Sequence, residues 1–275
     1  MRITAISLLI LTVVHFIQPR SVIAAEAIYL ANQAVLVTSG DTKVLFDPLY
    51  DNGYDRYQMV PAEVQQKLMA GETPFDDVDA VFISHSHGDH FTPELMRQYL
   101  LNQPDVRVYA PMQAVTALRA ASRNAGADDE ALFRRVTGIA LENGDDALQI
   151  ELQNISIGAI SIPHSGWPER MTDIENLSFR ISLDNETTVA HFGDADANAQ
   201  HFEPYGSYWA AQTTHFAMPP YWFFQSAEGR AILDEVIKPE QAVGTHVLVE
   251  LPEDEAESLD GYDLFTKPGE RRSIH

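Results

Sequence analysis

The 275-residue chain contains no cysteine. That removes disulfides, thiolate metal ligands and a lipid-anchoring cysteine together, so stability must come from an apolar core and any bound metal. Basic residues are scarce: 18 Lys and Arg stand against 40 Asp and Glu, a formal charge of −22. A surface that acidic repels phosphate backbones, which excludes nucleic acid as an expected partner and leaves small molecules. The acidic stretch from Glu250 to Glu257 reads as a solvated loop rather than a calcium site. The longest apolar run falls short of the ~20 residues that a membrane-crossing helix needs.

That run lies at the N-terminus. Arg2 precedes the apolar Ala5–Val14, then come Pro19 and the small-residue stretch Val22-Ile-Ala-Ala25. A positive start, a short apolar core and small residues at the end make the pattern of an export signal. The sequence therefore predicts a signal over residues 1–25, cleaved after Ala24 or Ala25, and a periplasmic or secreted single domain over 26–275 without a stable membrane span. Loss of Arg2 and Arg20 leaves 16 basic residues and a charge of −24.

Along the mature chain, Ile28–Leu30, Ala34–Val37 and Lys43–Phe46 read as short strands, joined by Asn-Gln and Ser-Gly-Asp turns. Pro61–Ala70 is helical in character and ends at Gly71. Ala80–Ile83 is apolar throughout, as expected of a strand buried on both faces. Thr92-Pro-Glu opens a helix, with a capping hydroxyl, proline in the first turn and an early acid. Val106–Ala110 reads as strand, and Ala114–Ala125 with Glu130–Val136 as helix. Leu148–Leu152, Ile155–Ile162, Leu177–Leu183 and Thr188–Phe192 form a strand-rich second half. A helix is expected over Phe224–Ile237 and a last core strand over Ala242–Thr245. Strand blocks with intervening helices imply layered α/β architecture.

The chemistry concentrates in His85-Ser-His87-Gly-Asp89-His90, four metal-capable side chains within six residues, directly after a buried strand. Imidazole and carboxylate ligands suit zinc, with manganese or iron as alternatives. In a turn, His85 and His87 can converge on one ion while Asp89 and His90 face another. Gly88 is expected to let the backbone bend between the pairs.

This segment resembles the His-x-His-x-Asp-His signature of the metallo-β-lactamase superfamily. Further motifs follow in the family's order between about Ile28 and His246. Asp47 in Leu-Phe-Asp-Pro resembles the first motif, whose aspartate supports the metal loop by hydrogen bonds. His164 in Ile-Pro-His-Ser-Gly, Asp194 in His-Phe-Gly-Asp and His246 in Gly-Thr-His are similar to the later ones. The resemblance implies an αββα sandwich. It also implies one ion on His85, His87 and His164, another on Asp89, His90 and His246, and Asp194 across both. The implied activity is hydrolysis by a hydroxide shared between two ions about 3.5–4 Å apart, with Asp89 orienting it or passing a proton to the leaving group. Asp89 and Asp194 are thus the catalytic candidates.

Departures from subfamily patterns narrow the substrate. A cysteine ligand, common in zinc β-lactamases, is absent. His87 stands where flavodiiron proteins carry glutamate, and His164 lacks the Thr-Pro-Gly-His context of glyoxalase II. The family's nucleases usually carry an additional arm, for which this chain has little room. Tyr29-Leu-Ala-Asn-Gln-Ala-Val-Leu-Val and Phe46-Asp-Pro-Leu are similar to the branch holding ascorbate-6-phosphate lactonase and N-acyl-phosphatidylethanolamine phospholipase D. An ester, lactone or phosphodiester substrate is therefore expected. The competing readings are a metal-holding binding or sensor protein without turnover, and an iron-dependent oxidoreductase of the same fold. Trp167, Tyr221 and Trp222 read first as packing residues and second as a pocket wall. His191, His201, His215 and His275 have no place in the motifs, and Asp196 lies near Asp194 without being an expected ligand.

Overall fold

The computed structural model describes residues 25–275. The predicted export signal lies outside the described residues except for Ala25, and among those residues no helix is long and apolar enough to cross a membrane.

Two mixed sheets lie face to face with helices on both outer surfaces: the expected αββα sandwich. The first sheet contains β1 (Ala25–Ala31), β2 (Ala34–Ser39), β3 (Thr42–Phe46), β4 (Ala80–Phe82), β5 (Arg107–Pro111) and β6 (Val136–Ile139). The second contains β7 (Leu148–Leu152), β8 (Ile155–Ser161), β9 (Leu177–Leu183), β10 (Thr187–His191), β11 (Phe216–Met218) and β12 (Gln241–Ala242). The last strand, β13 (Arg271–Ile274), returns to pair with β1 at the edge of the first sheet.

Side-chain alternation explains the layering, because successive residues of a strand face opposite sides. In β1, β2 and β4, Ala27, Tyr29, Val35, Val37, Ala80 and Phe82 point between the sheets. There they meet Ile157, Phe179, Ile181 and Phe216 of the second sheet. Their alternates Ile28, Leu30, Leu36 and Val81 face outward onto α1 (Ala62–Ala70), α2 (Pro93–Asn102) and α3 (Met112–Asn124), through Leu68, Met96, Tyr99 and Leu118. The outer face of the second sheet packs Ile160, Ala190 and Ala217 against Phe202, Trp209, Phe223 and Ile232.

Four local expectations need correction. Of the helix expected over Glu130–Val136 only Glu130–Phe133 forms, and Val136–Ile139 becomes edge strand β6, parallel to β5. Its β-branched Val136 and Thr137 fit a strand better than a helical last turn. The helix expected over Phe224–Ile237 breaks at Ser226, which is extended and caps Gly229 N–H with its hydroxyl, before Ala227–Ala231 runs into π-helical Ile232–Ile237. The last core strand shortens to Gln241–Ala242, with Gly244 and Thr245 forming only isolated bridges. The acidic loop coils into a short exposed helix over Glu253–Ser258, started by Pro252.

Strand direction positions the site. β3 and β4 run parallel with Phe46 opposite Phe82, and β10 runs parallel to β11, which is parallel to β12. The C-terminal ends of β4, β8, β10 and β12 therefore lead to one edge, where the sequence places His85, His164, Asp194 and His246.

Candidate metal centre

All seven predicted ligands meet at that edge in two groups. His85, His87, His164 and Asp194 form one, and Asp89, His90 and His246 the other, with donor atoms in each group within 4.8 Å of one another. Every one is buried except the half-buried His87.

Asp194 lies between the groups. Its Oδ2 is 3.4 Å from His164 Nε2 and 3.9 Å from His85 Nε2, while its Oδ1 is 3.2 Å from His246 Nε2 and 3.3 Å from His90 Nε2. One carboxylate thus turns a different oxygen to each group. Asp89 Oδ2 lies 3.3 Å from His246 Nε2 and 3.6 Å from His90 Nε2.

The far ring nitrogens explain which atoms are free to ligate. His90 Nδ1 donates to Asp47 Oδ2 at 2.9 Å, and His164 Nδ1 to the Ser165 carbonyl at 2.8 Å. Ser84 Oγ donates to Asp47 Oδ2 at 2.5 Å and lies 3.0 Å from His85 Nδ1, from which it accepts. Each bond fixes a tautomer and leaves Nε2 as a lone pair pointing into the centre. His87 presents Nδ1 instead, 3.1 Å from His85 Nε2 and 3.2 Å from His164 Nε2. His246 Nε2 is likewise 3.2 Å from His90 Nε2. Lone pairs at that separation repel unless a cation or proton lies between them, so this donor set fits a metal ion in each group.

Charge points the same way. Burial would raise the Asp194 carboxyl, but His246 and His90 outweigh it and hold it well below the usual range. Burial and neighbouring imidazoles push His85 and His87 down, leaving neutral ligands. Burial would also lower His90 and His246, yet Asp194 and Asp89 pull both up. The second group therefore demands positive charge, as protons or as a metal.

Backbone geometry supports the site. Asp47 at φ 40° and His246 at φ 62° occupy left-handed conformations that a side chain rarely adopts, a form of strain common at functional sites. The fully buried Asp47 also accepts from Ser84 N–H at 2.7 Å, matching the supporting role that the resemblance implies. Gly88 sits in the turn between the ligand pairs. Its φ is not positive, and the glycine instead makes room for the Tyr54 hydroxyl and Asn52, which a Cβ would meet at 3.0 and 3.3 Å.

Sequence reading passed over several residues that hold the centre. His191, expected to be an ordinary polar residue, is buried and stacked on Phe46; it donates through Nε2 to the Gln33 carbonyl at 3.1 Å. Asn176 Oδ1 accepts from Asp194 N–H, while its amide donates to the Ile162 and Phe192 carbonyls. Asn32 and Gln33, read as a turn and as part of the Tyr29–Val37 resemblance but not as partners of the ligands, reach Asp89 and Asp194. The Tyr57 ring packs edge-on to His246 with ring centroids 4.1 Å apart, and burial followed by Asp194 and Asp89 pushes its hydroxyl up to about 12. None of these had a local signal, since their partners are distant in sequence.

The aromatic candidates separate. Tyr221 is buried and donates to Glu255. Trp222 donates to the Ala195 carbonyl and stands 5.3 Å from the His246 ring. Trp167 is exposed and edge-on to His201, which lies 3.3 Å from Asp196. His215 Nδ1 accepts from Thr188 N–H, away from the ligand groups.

A family profile for the "Beta-lactamase superfamily domain" matches residues 42–210. No curated protein sequence matches the chain. Among solved structures, it is similar to Igni18, a metallo hydrolase from the hyperthermophilic archaeon Ignicoccus hospitalis, with 16% identity, TM-score 0.59, and coverage of 92% of this chain and 99% of that one. A possible metal-dependent hydrolase from Veillonella parvula gives TM-score 0.62 at 13% identity, over 91% and 100%. The diiron β-hydroxylase CmlA from Streptomyces venezuelae gives 0.56 at 15% identity, over 92% of this chain and 54% of that one. Identities this low show the fold alone, and that fold carries more than one chemistry.

Proposed function

This chain belongs to the β-lactamase superfamily, and from that premise we propose that it is an exported hydrolase using two divalent ions, zinc first among them, on an ester, lactone or phosphodiester. One observation carries the reading: Asp194 turns Oδ1 to one ligand group and Oδ2 to the other. A binding or storage site has no need of a carboxylate shared between two ions, whereas a two-ion hydrolase holds both metals on one substrate.

His85, His87, His164 and Asp194 Oδ2 would hold one ion; Asp89, His90, His246 and Asp194 Oδ1 would hold the other. When bound, such ions supply Lewis acidity and lower the pKa of water toward ~7. The chain's own residues set the rest. Asp47 and Ser84 lock His85 and His90 with Nε2 inward. Asp89, largely buried and held below its usual range by His90 and His246 although burial opposes them, stays an acceptor. From that position it would accept the nucleophile's proton as the new bond forms and pass that proton to the leaving group as the old bond breaks. Small neutral substrates suit the acidic surface best, and a phosphodiester would approach against the chain's charge.

The test is turnover by the zinc-loaded and manganese-loaded chain on lactones, carboxylic esters and phosphodiesters, with Asp194→Ala alongside. Activity on one class that Asp194→Ala abolishes is the expected result. Silence across the panel from a folded chain carrying two ions would overturn the hydrolase reading. A coloured protein that retains iron would redirect it to redox chemistry.

A further inference from the structure

The turn between β1 and β2 is two residues long, Asn32-Gln33, and both side chains are fully buried. A buried amide in a hairpin turn is costly unless something requires it, because turns ordinarily face water. Here the requirement is visible. Asn32 Nδ2 donates to the Asp89 carbonyl at 2.9 Å and reaches Asp89 Oδ2 at 3.4 Å. Gln33 Nε2 donates to the Gly193 carbonyl at 2.7 Å and to Asp194 Oδ1 at 3.2 Å. Its Oε1 accepts from the hydroxyl of Thr245, the neighbour of His246, at 3.3 Å. The Asn32 carbonyl accepts from His246 N–H at 3.0 Å.

These contacts are one-sided. Apart from the Gly193 carbonyl and the Thr245 hydroxyl, they reach Asp89 and His246 of the second ligand group and, on the Asp194 carboxylate, the oxygen that faces that group. In the first group, His85 and His164 are fixed by Ser84 and Ser165, their own sequence neighbours. The second group also has the harder electrostatic task, since it brings two buried carboxylates onto the same imidazoles. Carboxylates that face the same imidazoles repel one another, and neutral donors help to hold them in place. Amide N–H groups do this without cancelling the negative charge that a cation needs.

We infer that Asn32 and Gln33 are positioning residues that control occupancy of the second metal site independently of the first. The inference rests on the two-ion reading above. Partners that orient ligands from behind typically change metal affinity about 10–100-fold when removed. Two substitutions separate this role from simple turn stability. Asn32→Gly deletes the side chain but keeps the turn, because glycine adopts the φ of 49° found at Asn32 without strain. Gln33→Met keeps the length and bulk of the side chain and removes its donors.

The experiment is equilibrium dialysis of the full chain and both variants against buffered free zinc, with bound metal counted by mass spectrometry and apo-protein melts as the folding control. The wild type should take two zinc ions. Each variant should bind the second roughly 10–100-fold more weakly, with the first within about threefold of the wild type. A wild type that takes only one ion overturns the two-ion reading and this inference with it. If the wild type takes two and both variants keep both, or lose both in parallel, the inference alone fails. Should Gln33→Met fold poorly, Asn32→Gly decides the matter by itself.

Discussion

Gly193 offers the sharpest test of how the scaffold holds Asp194. Its φ is 55°, and a Cβ there would lie 2.4 Å from Asn176 Oδ1 and 2.5 Å from Ser84 Cβ. Neither neighbour can yield, since both are fully buried, or nearly so, and already bonded: Asn176 to Asp194 N–H and two carbonyls, Ser84 to Asp47. Gly193→Ala therefore carries two costs. The left-handed conformation costs a side-chain-bearing residue about 1–2 kcal/mol, and forced overpacking adds about 1–3 kcal/mol. Gly126→Ala isolates the first cost, because Gly126 has φ 66° and nothing within 4 Å of its would-be Cβ. At about 2–4 °C per kcal/mol for a chain this size, Gly193→Ala should melt roughly 2–12 °C below Gly126→Ala. Thermal unfolding of both variants in chelator measures the steric cost without metal, and zinc counting then reports whether Asp194 has moved. If the two melt within about 2 °C of each other and both bind two ions, the scaffold around Asp194 is not rigid as argued.

Asp47→Asn keeps shape but cannot accept from Ser84 N–H, Ser84 Oγ and His90 Nδ1 together. It should cost about 2–3 kcal/mol by denaturant titration and weaken binding at the second group; an unchanged midpoint would refute Asp47 as the anchor. The second ion should also be the more acid-labile. His90 and His246 are raised by their carboxylates against burial, so protons compete there as pH falls through those elevated values, while the lowered His85 and His87 stay neutral. Zinc titrations between about pH 8 and 5.5 should show the second site emptying first, and simultaneous loss would contradict this. Tyr221→Phe, which removes only a hydroxyl bonded to Glu255, should leave zinc stoichiometry and melting nearly unchanged, within about 0.5–1.5 kcal/mol.

What the sequence made legible was local. Four ligands lie within six residues after an apolar strand, so the centre of the site could be read from spacing, whereas His164, Asp194 and His246 came from the resemblance that those four residues carry. The long strands read well because their apolar residues alternate over several positions. The failures arose where tertiary context overrides local preference. Val136–Ile139 is a strand because β5 offers it an edge, and Phe216–Met218 is too short to carry a period. The anchors of the carboxylates were invisible for a geometric reason. Asn32 and Asp89 are 57 residues apart, and Gln33 and Asp194 are 161. Nothing in a turn's composition tells that its amides face inward until two sheets are stacked.

That stacking would give bound ions a structural role. His85, His87, Asp89 and His90 follow β4 in the first sheet, whereas His164, Asp194 and His246 follow β8, β10 and β12 in the second. Each ion would therefore take ligands from both sheets, closing at one edge a sandwich that has no disulfide to do so. Metal that binds only the folded chain stabilises it by about 2.7 kcal/mol at 100 times its dissociation constant. For a chain of this size that predicts a melting temperature roughly 5–10 °C higher in zinc than in chelator. Asp194→Ala should lose most of that increment, because it removes the side chain that both ions would share. Equal melting in zinc and chelator, from a wild type shown to carry two ions, would mean that the sheets are held at this edge by packing alone.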